Sequence, residues 1–396
     1  MSRKITRREF ARRGMAAAGL AALGGAVGNG LVARAAGREG VGVGAGGAAN
    51  HARAAIARLT KTTIGKGPNG ETASLATSIV LTPQEVARVK ALGATAAICM
   101  YARIGWTTAQ VAGLQSEFAR LGVKVVAVTN GEGAVDKQVS DVETVLALKP
   151  SAIVTVQADP RAAAPVFRRV AAQGIKTVFI GAATDGAVHG KDYVGIVDSD
   201  EYGYGALSAH LLALALNGQG KIGLLFWQTQ FFNTDQRTAA FRRTIRTEYP
   251  GITIVAEKGF VGPNFADECQ AATSALLTRY ADLVGVWTPW DAPGEGVLAA
   301  ARTAGRLDLA LTTCDLGENV AISLLQGGVV KGIAAQRVFD MGVAEARVAA
   351  LGLLGKPAPA YATVPNLAVM RDNVLQSWQI DYHQPAPQVV QAAAKR

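Results

Sequence analysis

Aromatic and polar side chains recur just after apolar runs of strand length, where doubly wound folds place their ligands. Flat aromatic rings pack on the C–H faces of a sugar or polyol, while carboxylate, amide and guanidinium groups pair with its hydroxyls. These residue types therefore predict a binding site for a small, hydroxyl-rich molecule. The candidate ligand-binding residues are Tyr101, Trp106, Gln157, Phe232, Asn233, Arg237, Trp290, Asp291, Asp315 and Gln336.

Each of these residues, taken alone, also has an ordinary structural interpretation. A tryptophan after a strand usually anchors a loop, and an aspartate there usually caps the next helix. Asp291 precedes a helix predicted to begin at Gly294, and Asp315 precedes one predicted near Val320. The prediction rests on the recurrence of such residues in both halves of the chain.

Sequence motifs for catalysis, metal binding and nucleotide binding are missing. Neither a Gly-x-Ser-x-Gly elbow nor a Gly-x4-Gly-Lys-Ser/Thr loop occurs. The glycines at 42, 44 and 47 match the dinucleotide fingerprint formally, but no predicted strand precedes them. No ligand spacing relates the four histidines, which are His51, His189, His210 and His383. The sequence predicts no catalytic residue, no metal site and no cofactor.

Elements of strand and helix length alternate from Ala94 onward, and the pattern begins again at Lys221. Strands are predicted at 96–101, 123–129, 152–157, 177–180 and 193–197, then at 221–227, 252–257, 283–288, 309–314 and 330–336. Helices are predicted between them, and Gly122 and Gly174 stand where C-caps belong. This repeat favours an α/β fold of two doubly wound parallel-sheet lobes, with a cleft at the carboxyl ends of their strands.

The formal charge of +10 arises mostly at the N-terminus. Seven basic residues and one acidic residue lie among the first 35, so that the rest of the chain carries +4. Nucleic-acid binding needs basic residues clustered on one face, and the pairs Arg168-Arg169 and Arg242-Arg243 are typical of solvated helix surfaces. We therefore expect no nucleic-acid partner.

The N-terminus has the pattern of an export signal. Arg7 and Arg8 precede Phe10, an apolar Gly/Ala-rich stretch follows, and Ala33-Arg34-Ala35 offers a cleavage site. The paired arginines resemble the twin-arginine signal. We expect residues 1–35 to be a signal peptide cleaved near Ala35, 36–93 to be a partly flexible leader, and the mature protein to be periplasmic.

Four stretches of the chain, at 141–150, 189–196, 290–298 and 353–359, resemble type I periplasmic binding proteins of the ribose-binding-like group. The likeness covers about residues 82–382. It implies a solute receptor of a carbohydrate ABC transporter, with a sugar or sugar alcohol as ligand, a permease of the inner membrane as partner, and a monomeric state. It also implies roles in ligand binding for Trp106, Gln157, Arg237, Trp290, Asp291, Asp315 and Gln336.

The resemblance further implies three crossings between the lobes, near 198–200, 336–339 and 361–366. The first lobe would then hold 94–199 and 338–362, the second 200–337 and 363–383, and a tail would span 384–396. The chain departs from ribose receptors at Ala182-Ala183, where they carry an Asp-Arg pair, and at Trp290, where they carry an asparagine. Both changes remove hydrogen-bonding groups, so ribose itself is not the expected ligand.

Three other functions are compatible with an α/β chain of this kind. A sugar-responsive transcription regulator would need a helix-turn-helix where the export signal stands. An exported hydrolase or oxidoreductase would need catalytic motifs that the sequence lacks. A chemoreceptor-type sensor would use the same binding chemistry, so the sequence does not separate sensing from transport.

Overall fold

A computed structural model describes residues 45–395 of the 396-residue chain. The predicted signal peptide lies outside the described residues. The strands are β1 (Ser74–Leu75), β2 (Thr95–Met100), β3 (Lys124–Asn130), β4 (Ala152–Val156), β5 (Lys176–Ile180), β6 (Gly195–Ser199), β7 (Gly220–Trp227), β8 (Ile252–Phe260), β9 (Leu283–Thr288), β10 (Ala310–Cys314), β11 (Val330–Ala335), β12 (Tyr361–Val364) and β13 (Leu367–Val369). The helices are α1 (Ala45–Leu59), α2 (Pro83–Ala91), α3 (Gly105–Arg120), α4 (Val135–Ala147), α5 (Pro160–Ala172), α6 (Glu201–Ala215), α7 (Phe232–Glu248), α8 (Phe265–Arg279), α9 (Asp291–Thr303), α10 (Glu318–Leu325), α11 (Val338–Leu353), α12 (Val374–Tyr382) and α13 (Gln388–Ala394).

The first lobe is built on a seven-stranded sheet in the order β1-β12-β6-β5-β4-β2-β3. All neighbouring strands in it run parallel. Alternate side chains of β2 enter two different cores: Ile98 packs with Leu114 and Phe118 of α3, and Cys99 packs with Phe167 of α5. Helices therefore cover both faces of the sheet, as continuous apolar strands require.

The second lobe is built on a six-stranded sheet in the order β13-β11-β10-β9-β7-β8. Five of its strands are parallel, and β13 at the edge runs antiparallel to β11. Leu224 of β7 packs towards α6 and α7, whereas its neighbour Leu225 packs towards α8 and α9. Both lobes are thus doubly wound, which confirms the predicted α/β class.

The helices begin and end for local reasons that the sequence carries. Asp159 caps α5 by accepting hydrogen bonds from the amides of Arg161 and Ala162, and Pro160 occupies the first helical turn, where its missing N–H costs nothing. Gly122 follows α3 with φ +69°, and Gly174 follows α5 with φ +74°, the left-handed conformation that ends helices. The predicted strands and helices lie within three residues of the observed ones.

From β6 onward the chain passes between the two sheets at three places. The first passage is Asp200, between β6 and α6; the second is Gln336-Arg337, between β11 and α11; the third is Pro365-Asn366, between β12 and β13. The amide of Asn366 donates to the carbonyl of Asp200 at 2.8 Å, which fastens the third passage to the first. Only two residues separate β12 from β13, so no crossover helix lies between them. β13 therefore joins the second sheet antiparallel to its neighbour β11.

The expected leader at 36–93 is wrong for the part that the structure describes. Helix α1 buries Ala52, Ile56 and Leu59 against α6 in the second lobe, and β1 and α2 then join the first lobe. Apolar residues four and three apart give α1 one buried face, although its Ala/Gly-rich composition suggested low complexity. Residues between α1 and β1 therefore form a fourth passage between the lobes.

The expected tail at 384–396 is also wrong. Residues 388–394 form α13, whose Val390 and Ala393 are buried in the core of the second lobe. The cysteines of the described residues, Cys99, Cys269 and Cys314, are free and buried. Over residues 45–395, none of the helices is long and apolar enough to cross a membrane.

Candidate functional site

The predicted site residues lie at the carboxyl ends of strands in both sheets or in the first turns of the helices that follow. Tyr101 and Gln157 come directly after β2 and β4 of the first lobe, and Asp315 and Gln336 come directly after β10 and β11 of the second. Trp106 and Asp291 lie in the first turn of α3 and α9, and Trp290 is the N-cap of α9. The remaining three, which are Phe232, Asn233 and Arg237, lie in the first two turns of α7.

Arg237 is the centre of a buried network in the second lobe. Its guanidinium donates to both oxygens of Glu201, at 2.5 and 3.2 Å, to the carbonyl of Pro289 at 3.0 Å, and to Asp315 at 3.2 Å. It also lies over the ring of Tyr204, 4.6 Å from the centroid. Since the side chains of Arg237 and Glu201 are 8% and 1% exposed, the two charges neutralise each other in a water-poor environment.

The Asp315 carboxylate does not cap the helix that follows it, α10. Its backbone has φ +66°, and the N-cap of the next helix is Gly317, so Asp315 is not a helix cap. The hydroxyl of Tyr204 donates to the Asp315 carboxylate at 2.9 Å and accepts from the Asp315 amide at 2.8 Å. These two contacts hold the Asp315 side chain in one orientation, and 31% of that side chain is exposed. A carboxylate so placed can accept further hydrogen bonds.

A hydrogen bond joins the first lobe to the second passage between the lobes. The loop after β2 is shaped by Thr107, whose hydroxyl accepts from the amide of Ile104 at 2.9 Å and donates to the carbonyl of Ala102 at 2.8 Å. This arrangement directs the indole N–H of Trp106 onto the amide oxygen of Gln336. The amide nitrogen of Gln336 in turn lies 3.4 Å from Glu201. Trp106 and Arg237 are therefore linked through two residues, although they belong to different lobes.

Asn233 connects the network to a second buried acid. Its amide nitrogen lies 3.1 Å from Glu201 and 3.4 Å from Asp198, which stands at the end of β6. Burial raises the pKa of Asp198 well above its ordinary value, and the charge of Glu201 raises it further. The protonated form of Asp198 is therefore favoured more than in an exposed aspartate, whereas Glu201 lies in a salt bridge with Arg237.

The charge of Asp315 extends to two further predicted residues. Burial raises the pKa of Asp291 to about 7, and the neighbouring Asp315 adds to that shift. Burial and the same charge also raise the pKa of the Tyr101 phenol. Tyr101 belongs to the first lobe and Asp291 to the second, so the charge of Asp315 influences side chains in both lobes.

Three predicted residues have no direct contact with this network. Trp290 packs into an aromatic cluster of the second lobe, with ring centroids 5.9 Å from Trp227, 5.3 Å from Phe260 and 5.2 Å from Phe265. Phe232 is half-buried at the start of α7. Gln157 is buried, and its amide nitrogen has no hydrogen-bond partner among residues 45–395.

Sequence reasoning missed Glu201 and Tyr204, which orient Arg237 and Asp315. Both belong to α6, an almost wholly apolar helix that the sequence indicates as a core element. A signal was nevertheless present, because Asp198, Asp200 and Glu201 place three acids at one strand–helix junction. Acids at the carboxyl end of a buried parallel strand need a cation, and Arg237 supplies it.

Solved structures share the fold of this chain at low sequence identity. A comparison with curated protein sequences gave no significant match. Among solved structures, the arabinose-binding protein AraP from Geobacillus stearothermophilus shares 22% identity at a TM-score of 0.65, covering 71% of this chain and 98% of its own. A carbohydrate transporter solute-binding protein from Agrobacterium radiobacter, in complex with D-arabinose, shares 21% identity at a TM-score of 0.61, covering 73% and 98%. An ABC transporter solute-binding protein from Agrobacterium vitis with bound allitol shares 22% at 0.59, covering 72% and 97%.

The sequence also matches a family model over most of its length. The model describes a periplasmic binding protein domain and aligns with residues 96–357, which include β2 through α11. The aligned region contains most strands of both sheets, all except β1, β12 and β13, and all ten predicted site residues. The chain belongs to the periplasmic binding protein domain family.

Proposed function

We propose that the protein is a solute receptor of an ABC importer, which holds a neutral sugar or sugar alcohol between its lobes and delivers it to a membrane permease. The observation that carries this proposal is the Arg237–Asp315 pair, linked through Glu201 and Gln336 to Trp106 of the other lobe. Such a chain of donors and acceptors across two lobes fits a ligand that carries many hydroxyls on a small frame.

The charges of the site favour a neutral ligand over an acid. Arg237 already pairs with Glu201 and Asp315, so no free cation is left in the network to neutralise a bound anion. Asp315 retains an exposed edge and can accept from ligand hydroxyls. Since a buried hydroxyl is tolerated only when it is paired, the site selects ligands whose hydroxyls match these acceptors.

Gln157 supplies a donor from the opposite lobe. Its amide nitrogen is buried without a partner among the described residues, and such groups are rare because each costs about 1–3 kcal/mol. A ligand oxygen at the carboxyl end of β4 would satisfy it. Tyr101 and Trp106 offer aromatic faces at the end of the adjacent strand, suited to the C–H face of a sugar ring or polyol chain.

We infer from the position of Gln336 how the lobes close. It lies on a passage between the sheets and accepts from Trp106, so rotation about the passages changes its contacts with the first lobe. A ligand that touches both lobes stabilises the closed form by its differential affinity. The closed form is the one that we expect to dock on a permease.

The structural relatives support the ligand class, since two of those compared were solved with D-arabinose and with allitol. Export through the predicted twin-arginine signal would place the protein in the periplasm, in agreement with the description of the matching family as a periplasmic binding protein domain. We expect it to act as a monomer and without a cofactor. An exported enzyme or a chemoreceptor-type sensor on the same fold is the alternative.

A thermal-shift screen tests the proposal. The purified protein is melted with D-arabinose, D-allose, D-tagatose, allitol and other sugar alcohols, and with L-proline as a solute without a polyol. A ligand at 100 times its Kd stabilises the folded state by about 2.7 kcal/mol, which raises the melting temperature by several degrees. A shift with a sugar or polyol that is recovered unchanged supports a receptor. Chemical conversion of the ligand, or no shift with any of them, contradicts the proposal.

A further inference from the structure

Two histidines and a glutamate meet on the second lobe, away from the passages between the lobes. His51 lies on α1, His210 on α6, and Glu248 at the end of α7. One oxygen of Glu248 is 2.7 Å from Nε2 of His51 and 3.9 Å from Nε2 of His210. Their ligand atoms all lie within 4.8 Å of one another, so three helices direct potential metal ligands at one point.

A fourth residue orients the buried histidine. The hydroxyl of Tyr249 lies 2.6 Å from Nδ1 of His210, which fixes the ring so that Nε2 faces Glu248. Metal-binding histidines typically have their second ring nitrogen held in this way. At 3.9 Å the Glu248 oxygen is too far for a hydrogen bond to Nε2, and the His210 side chain is only 1% exposed. Nε2 of His210 therefore faces the Glu248 carboxylate without forming a hydrogen bond to it.

The spacing is close to that of a tetrahedral centre. Zinc–nitrogen and zinc–oxygen bonds of about 2.0–2.1 Å give ligand–ligand edges of about 3.3 Å. The observed 2.7 and 3.9 Å separations each differ from that edge by about 0.6 Å, in opposite directions. The Glu248 side chain is 35% exposed, so its carboxylate has room to adjust these two distances, and the third edge, between the two histidines, is at most 4.8 Å.

We propose that His51, His210 and Glu248 bind one divalent transition-metal ion, with Zn²⁺ as the best match to two imidazoles and a carboxylate. Water completes the coordination, since the side chain of His51 is 48% exposed. The ion would join α1 to α6 and α7, and so fasten the N-terminal helix to the second lobe. Binding to the folded state alone raises stability by mass action.

No short sequence motif indicates this site, because its ligands lie at positions 51, 210 and 248, which are far apart in the chain. Only the packing of α1 against α6 brings His51 to the other two. The site is independent of the sugar cleft, so its test does not depend on the proposed function.

The test is a Zn²⁺ titration of the tag-free, EDTA-treated and dialysed protein against a chromophoric chelator. We expect one ion per chain, and a rise in melting temperature on its addition. His51→Ala removes an exposed ligand without opening the core and should weaken Zn²⁺ binding by at least about 100-fold. Tyr249→Phe removes only the orienting hydroxyl, and about 10-fold weaker binding is expected. Co²⁺ should give the visible absorption of a four-coordinate centre in the wild type and not in His51→Ala.

The matched control changes the other two histidines together, as His189→Gln and His383→Asn. Asparagine is chosen because His383 has φ +51°, a conformation that asparagine tolerates. This double variant should bind Zn²⁺ as the wild type does. The proposal is overturned if the wild type takes up no stoichiometric Zn²⁺, or if His51→Ala and Glu248→Gln bind it unchanged.

Discussion

Replacement of Arg237 by methionine tests whether the centre of the candidate site also holds the second lobe together. Methionine keeps most of the side-chain volume but removes the guanidinium that pairs with Glu201 and Asp315. Glu201 is 1% exposed, so the change leaves a buried carboxylate without its cation. Breaking a buried ion pair on one side costs about 3–5 kcal/mol.

The second half of this experiment removes both charges. Glu201→Gln added to Arg237→Met removes the fully buried carboxylate and leaves only the partly exposed Asp315 without its cation. The double variant should therefore be more stable than Arg237→Met alone by about 1–3 kcal/mol. Free energies of unfolding come from urea denaturation followed by circular dichroism. Arg242→Met is the matched control, because Arg242 lies on the same helix and pairs with the partly exposed Glu257, which Arg246 also holds. Its expected cost is below about 1 kcal/mol.

Two results would refute this reasoning. One is a cost for Arg237→Met no larger than that of Arg242→Met. The other is a double variant less stable than the single one, which would show that Glu201 does not depend on Arg237 for its charge. A consequence for site mapping follows: lost ligand binding in Arg237→Met has to be separated from lost folding.

Three further predictions address the hinge, the N-terminus and the buried acids. Trp106→Phe keeps the ring but removes the donor to Gln336, and ligand affinity measured by calorimetry should fall about fivefold, as expected for one hydrogen bond of about 1 kcal/mol. A chain starting at residue 61 lacks α1, and the lost burial of Ile56 and Leu59 should destabilise it by about 3–6 kcal/mol relative to a chain starting at residue 45. Burial raises the pKa of Asp381 and of Glu345 to about 8, above the unfolded values, so the folded state holds protons that the unfolded state releases. Stability should therefore fall as pH rises from about 5 to about 7, by up to about 1.4 kcal/mol per pH unit for each acid, and Asp381→Asn should flatten the slope measured by urea denaturation.

The sequence predicts β2 to β11 well because these strands are continuous apolar runs that end at polar residues, but it does not predict the short strands β1, β12 and β13. For β9, a buried parallel strand, the predicted and the observed bounds are the same, 283–288. Helix α1 was missed for the opposite reason. Its Gly/Ala-rich composition hides a buried stripe of Ala52, Ile56 and Leu59, which becomes visible only when α6 is placed against it.

The sequence does not indicate which side chains contact one another in the site. Arg237 and Asp315 were predicted from their positions after strands, but the residues that orient them, Glu201 and Tyr204, lie in an apolar helix. Trp290 was likewise predicted from its position after β9, and its ring packs with Trp227, a neighbour that only the pairing of β7 with β9 brings close.

The most direct test of the central claim is isothermal titration of the best sugar or polyol into the wild type, Asp315→Asn and Asp308→Asn. Asp315 joins Arg237 and Tyr204 in the cleft, whereas Asp308 pairs with Arg306 at the other end of the same strand. Loss of a charged hydrogen bond of about 2 kcal/mol should weaken binding about 30-fold in Asp315→Asn. Asp308→Asn should bind as the wild type does. Equal affinity in all three proteins would contradict the account, since the ligand would then lie outside the cleft that Asp315 lines.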